Sequence, residues 1–212
     1  MAGYVLTIQL EDTNIWRQVM VPQQLTFHQL HQTIQLCMGW KDCHLYTFKP
    51  VHTPFLFVAT QQECEEYEAM QNSRATYLWQ QGRPMNASQL IEYRVAKTTT
   101  IDDFLIQDQE IIYRYDMGDD WQHSIRVDRI ETTYEKNHPT LLTGHGNCPP
   151  EDCGGVPGYM YLCTVLADAK HPEHEAYRNW LGNYENESVF DLAKINEKLI
   201  QTLQFNLVIK ST

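Results

Sequence analysis

The sequence predicts an α+β fold, with antiparallel hairpins early in the chain and helices through the C-terminal part. Three observations predict it. Two β-rich runs alternate around a polar turn between Tyr4 and Val21, and two more flank Met117-Gly118-Asp119-Asp120. From Tyr159 onward, apolar residues recur at helical spacing.

In order, Tyr4–Leu10 places Tyr4, Leu6, Ile8 and Leu10 on one strand face. Glu11–Asn14 turns the chain, and Ile15–Val21 returns as a second strand stopped by Pro22. Thr26 with Gln29 makes a capping box. Phe27, Leu30, Ile34, Cys37 and Met38 then follow at helical spacing to a stop at Gly39. Cys43–Lys49 and Pro54–Val58 read as strands, with His44, Tyr46 and Phe48 sharing a face. Residues 60–96 carry the weakest pattern. The acidic cluster Glu63–Glu68 suits a solvated helix or loop, and Thr76–Gln80 and Leu90–Val95 suit short strands. Thr100 with Asp103 caps a short helix carrying Ile101, Phe104 and Leu105. Glu110–Tyr115 and Trp121–Ile130 form the second hairpin, with Trp121, His123, Ile125 and Val127 on one face. Gly144–Pro157 reads as an irregular loop. Helices over Tyr159–Ala169, Glu173–Leu181 and Asp191–Leu203 follow, and Phe205–Ile209 reads as a last strand. With no repeat or linker, the chain reads as one domain over residues 1–212, with an insertion around 55–96.

Composition narrows the function. The chain has 212 residues, 42% of them hydrophobic and 20% charged, as expected of a globular protein with a sizeable core. No run is long and apolar enough for a membrane span. The N-terminus lacks the parts of a signal peptide, so a cytoplasmic location and six reduced cysteines are expected. A net charge of −11 argues against broad affinity for nucleic acid, and a protein partner is the expectation instead. Nucleotide-binding loops, the Gly-x-Ser-x-Gly elbow and the His-Glu-x-x-His helix are absent.

Chemistry gathers in two segments, Tyr115–His123 and Cys148–Gly155. Turn formation alone accounts for Asp119 and Asp120, since Gly118 permits positive φ and short acids bond turn amides. His123 adds an imidazole that a carboxylate can orient, so Asp119, His123 and Glu151 are the catalytic candidates. His44, Tyr46, Trp121, Asp152, Gly154 and Gly155 are the binding candidates around them. Together, His44, His123, Asp119 and Glu151 would make a mixed His/carboxylate centre for a divalent metal. Cys148 and Cys153, with His171 and His174 (or His145), are a loose zinc set. A rigid Pro/Gly loop explains the same residues without metal. Cys153 is a poor nucleophile because the neighbouring acids raise its proton affinity.

These residues carry a resemblance. Ile15-Trp16-Arg17, Met38-Gly39-Trp40, His44-Leu45, Tyr115-Asp116-Met117-Gly118-Asp119, Trp121, His123, Cys148–Gly155, Gly158-Tyr159, His171–His174 and Trp180-Leu181-Gly182 resemble the plasmid pRiA ORF-3-like family. Some of its members are labelled transposon resolvase-type proteins. The resemblance covers most of the chain and implies a roll-like α+β domain, with a mixed or antiparallel sheet packed against helices. It implies no settled reaction. Met117 and Gln122 depart from the family's usual Phe and Glu, and His145 is not a typical position. Three functional readings therefore stand: a non-enzymatic interaction module in a mobile-element, phage or defence setting, a metal-dependent hydrolase or nuclease, and a DNA-binding transposition accessory. The charge weighs against the third.

Overall fold

The computed structural model describes residues 2–182, 184 and 189–205. Its centre is one eight-stranded mixed sheet in the order β5-β4-β3-β6-β7-β1-β2-β8. The strands are β1 (Gly3–Leu10), β2 (Trp16–Pro22), β3 (Tyr46–Pro50), β4 (Phe55–Val58), β5 (Glu92–Val95), β6 (Glu110–Tyr115), β7 (Trp121–Glu131) and β8 (Thr140–His145). Both expected hairpins are present: β1 pairs antiparallel with β2, and β6 with β7. Only β4 and β5 run parallel, because helix α2 (Gln61–Gln80) carries the chain across between them.

Helix α1 (Phe27–Met38) forms where its capping box predicts. Thr26 accepts from the Gln29 amide, the Gln29 side chain returns to Thr26, and Gly39 closes the helix in the left-handed region. Its apolar face lies on the sheet. Phe27 stacks on Phe57 at 4.0 Å and tilts against Phe48 and Phe104, and Leu30 and Ile34 are fully buried. Helix α6 (Leu192–Thr202) covers the β8 edge of the sheet. The Asn196 side chain accepts from Leu141 N at 2.8 Å and donates to Leu141 O at 2.9 Å, pairing the strand's open backbone groups.

The structure corrects several expectations. Thr76–Gln80 is the last turn of α2, not a strand. Glutamine–glutamate pairs at i, i+4 support this polar helix, and its aromatic run faces outward with Trp79 72% exposed. The strand expected from Cys43 begins only at Tyr46, because the backbone at Asp42 is left-handed and Cys43 bonds a side chain. Helix α3 (Asp102–Asp108) has Ile101 at its N-cap with no side-chain cap, so Thr100 and Asp103 do not cap it. Thr100 bridges to Thr26 instead.

The expected loop at Gly144–Pro157 opens with the end of β8 and closes with the start of α4 (Gly155–Ala167). Gly144 suits β8, since a Cβ there would meet Trp16 O at 2.8 Å. Pro157 suits the first turn of α4, where its missing N–H costs nothing. Helix α5 (His174–Leu181) falls as expected, and the strand proposed at Phe205–Ile209 lies outside the described residues beyond Phe205. No helix among the described residues is long and apolar enough to cross a membrane.

Candidate functional site

Three loops meet at one end of the sheet: residues 39–45 after α1, the β6–β7 turn at 116–120, and residues 147–154 before α4. The turn fixes the first functional side chain. Asp116 sits in the left-handed region at φ 57°, and its amide donates to Leu45 O at 2.9 Å. Its Oδ1 accepts from Gly118 N at 2.9 Å and Asp119 N at 3.3 Å. Those bonds set the plane of the carboxylate and leave Oδ2 directed at His44.

His44 Nε2 lies 3.5 Å from Asp116 Oδ2 and 3.3 Å from Asp152 Oδ1. Neither approach has hydrogen-bond geometry, and Nε2 is shielded from solvent without a hydrogen-bond partner. One ligand atom from each of the three residues lies within 4.8 Å of the other two. Among the described residues, no Lys or Arg pairs with Asp116 or Asp152. Asp152 is itself left-handed at φ 59°, and its side chain is 73% exposed, so the centre opens to solvent on that side.

Glu151 adjoins the centre. Its Oε1 accepts from the Tyr115 hydroxyl at 2.6 Å and the Lys41 amide at 3.3 Å. Burial and the adjacent Glu151 carboxylate raise the Tyr115 pKa, so the phenol keeps its proton and donates it. Glu151 and Asp152 also line a cleft of about 510 Å³, together with Trp40, Lys41, Trp180 and Tyr184. Trp40 Nε1 and the Tyr184 hydroxyl both donate to Pro149 O, at 3.0 and 2.7 Å, which holds the 147–154 loop against α1.

Other candidates occupy different surroundings. Asp119 is not part of that three-residue group; its Oδ2 accepts from Gly154 N at 3.1 Å. Gly154 and Gly155 have φ values of 91° and 66°, and a Cβ on Gly155 would stand 2.2 Å from Asp119 O. These glycines let the loop close onto the turn. His123 is fully buried beneath Trp40, whose ring meets it edge-on at 5.3 Å. Its Nδ1 lies 3.2 Å from Trp121 O and its Nε2 has no partner, so desolvation drives its pKa down to about 3. No hydrogen bond or ion pair joins His123 to Asp119 or Glu151 among the described residues.

Trp121 is fully buried. Tyr46 is buried too, stacked on His31 at 3.7 Å with its hydroxyl on His28. Cys148 is buried, and Cys153 is half-buried with its thiol pushed up to about 12, chiefly by burial. His171 Nδ1 accepts from Glu173 N, and His174 opens α5. Cys148, Cys153, His171 and His174 do not converge as ligands. His44, Asp116 and Asp152 form the one such group among the described residues. Of these, sequence reasoning missed Asp116. The available signal was its position at the end of β6, two residues before Gly118, where a left-handed aspartate can turn a strand.

Comparison with known proteins agrees on lineage. Residues 2–198 match the family described as plasmid pRiA4b ORF-3-like protein. The uncharacterized protein y4hQ of Sinorhizobium fredii is 30% identical over 183 residues, covering 86% of this chain and 81% of that protein. The crystal structure of a protein of unknown function, MM3350 from Methanosarcina mazei Go1, superposes with a TM-score of 0.69 at 29% identity. The match spans 91% of this chain and 97% of that one.

Proposed function

The chain belongs to the plasmid pRiA4b ORF-3-like family, and from that premise we propose that it is a divalent-metal-dependent hydrolase with its ion held by His44, Asp116 and Asp152. One observation carries this reading. The His44–carboxylate separations of 3.3 and 3.5 Å are long for charged hydrogen bonds but suit ligands sharing one ion. Bonds of about 2.1 Å from a metal to N and O ligands put neighbouring ligand atoms about 3.0 Å apart in an octahedral shell and about 3.4 Å apart in a tetrahedral one. An imidazole with two carboxylates is a borderline-to-hard set, suited to zinc or manganese. Three protein ligands leave coordination positions open, as catalysis requires.

A bound ion there would lower the pKa of a coordinated water. Glu151 would act as general base: Oε1 is held by Tyr115 and Lys41, and Oε2 has no hydrogen bond among the described residues. Asp119, Gly154 and Gly155 support this centre by closing the loop on the turn, and His123 supports it from beneath Trp40. The substrate would lie in the cleft against Trp180.

The test is elemental analysis of protein purified without a metal-affinity tag, followed by thermal shifts with zinc, manganese and magnesium. The expected result is bound metal, a raised Tm, and metal-dependent hydrolysis of ester or phosphodiester substrates that Glu151→Gln abolishes. Absence of both metal and any thermal shift rules the reading out.

A separate observation favours a second reading, the interaction module expected from composition. Met70, Tyr77 and Trp79 of α2 and the nearby Leu90 are large apolar side chains facing solvent. A partner in a mobile-element, phage or defence setting would cover them. Repeated pull-downs in which Tyr77→Ser/Trp79→Ser captures the same proteins as wild type would remove this reading. The spacing of the His44 centre supports the hydrolase reading over this one.

A further inference from the structure

Behind the loop that carries His44 lies a closed ring of hydrogen bonds whose direction is forced by a single backbone amide. Asp42 N–H can only donate, and its partner at 2.9 Å is Gln35 Oε1. The other end of the Gln35 amide, Nε2, must then donate to the Tyr113 hydroxyl oxygen at 3.0 Å. That hydroxyl's own proton goes to His31 Nδ1 at 2.8 Å, so Nδ1 is unprotonated and His31 carries its hydrogen on Nε2. His31 Nε2 donates in turn to Asp42 Oδ1 at 2.7 Å, and the ring closes on the residue where it began. Gln35, Tyr113 and His31 are buried, whereas the Asp42 side chain is 49% exposed.

Asp42 is the midpoint of the loop that delivers His44. Its backbone is left-handed at φ 56°, a conformation that persists only where the surroundings over-determine it. Its neighbours are held from the cation centre's own side: Lys41 N by Glu151, Cys43 N by the Tyr115 hydroxyl, and Leu45 O by Asp116 N. Among the described residues, the ring alone ties the loop back to α1 at Asp42 through side chains. We propose that Tyr113, acting with Gln35 and His31, is a positioning residue for the cation centre, holding Asp42 so that His44 Nε2 faces Asp116 and Asp152. This rests on the metal reading above. Groups hydrogen-bonded directly to a metal ligand change metal affinity about 10- to 100-fold when removed; the ring acts on the loop two residues from His44, so the lower end of that range is expected.

The test compares wild type with Tyr113→Phe, Asp42→Gly and Tyr46→Phe. Asp42→Gly breaks the ring at its exposed member while keeping the left-handed backbone accessible, so it reports even if Tyr113→Phe does not fold. Tyr46→Phe removes a nearby hydroxyl outside the ring, bonded to His28, while keeping the aromatic face that stacks on His31. Mn²⁺ titration is expected to show about tenfold weaker binding for the two ring variants and less than twofold for Tyr46→Phe. Imidazole ¹⁵N spectra are expected to show one His31 tautomer, protonated at Nε2, in wild type, with the Nδ1 resonance shifted in Tyr113→Phe and the Nε2 resonance shifted in Asp42→Gly as each nitrogen loses its partner. Wild-type Mn²⁺ affinity in both ring variants overturns the proposal and leaves the metal reading standing. If wild type itself binds no Mn²⁺, the metal reading falls and the His44 ring signals of the metal-free proteins decide. They shift or broaden in the ring variants and not in Tyr46→Phe if the ring positions the loop; unchanged signals refute it.

Discussion

Replacing His123 with phenylalanine removes one of two buried histidines that the fold keeps neutral, and the effect on acid stability follows from their surroundings. His123 is fully buried without a charged partner, and desolvation lowers its pKa to about 3. Desolvation lowers that of His31 to about 4 despite the Asp42 carboxylate beside it. In the unfolded chain both return to about 6.5. Between the folded and unfolded values the unfolded state binds more protons, so stability is lost as pH falls below about 6.5 and is unaffected above it. At pH 5 each histidine lies about 1.5 pH units below its unfolded pKa, a loss of about 2 kcal/mol each and about 4 kcal/mol together. That is a large fraction of an ordinary domain's stability.

Acidification also relaxes the self-repulsion of a chain carrying −11, which acts the other way, so the comparison with the variant isolates the histidine. Urea unfolding in EDTA at pH 7.5, 6.5, 5.5 and 5.0 measures it. The drop from pH 7.5 to 5 should be about 2 kcal/mol smaller in His123→Phe than in wild type. Equal drops in the two proteins would refute the reasoning, whatever their absolute stabilities.

Three further outcomes follow from the packing. Gly155→Ala forces a Cβ to within 2.2 Å of Asp119 O at a φ of 66°, so it should lower stability by roughly 1–3 kcal/mol and weaken Mn²⁺ binding by displacing Asp152; thermal melts and a titration check both. Arg17 is buried and donates to the carbonyls of Trp16, Cys37, His145 and Gly146, so Arg17→Ala leaves four acceptors without their donor and should cost roughly 4 kcal/mol or more in urea unfolding. Native-state titration with a thiol-specific disulfide reagent should modify the exposed Cys43 and Cys163 rapidly and spare buried Cys37, Cys64 and Cys148, while Cys153 reacts slowly; fast modification of Cys148 would contradict the packing of its loop.

The hairpins and α1 were legible because each is specified locally, by period-2 alternation or by a capping box whose members lie three residues apart. Residues 60–96 were harder because α2 buries only Cys64, so no apolar stripe marks it as a helix. The start of α4 was hidden by Gly154, Gly155 and Pro157, which read as loop residues until the left-handed cap is seen. At the candidate site, the fold brings together the two segments that the sequence singles out, with His44 beside Asp152 and Glu151 on the Tyr115 hydroxyl. The sequence could not assign His123, because strand alternation identifies a face without saying whether that face meets the core or a cleft. Asp116 was passed over because its role depends on Leu45, His44 and Asp152, which only the tertiary fold brings to it. The His31–Tyr113 ring spans 82 residues of sequence and has no local signal.

The most direct test of the cation centre is Mn²⁺ binding followed by electron paramagnetic resonance in wild type, His44→Ala and Asp116→Asn. The expected result is one Mn²⁺ per chain in wild type, with imidazole nitrogen coupling in the spectrum. Both variants should stay folded by circular dichroism and lose at least tenfold in affinity. Unchanged Mn²⁺ binding in the two folded variants, or binding without nitrogen coupling, would contradict a centre built from His44, Asp116 and Asp152.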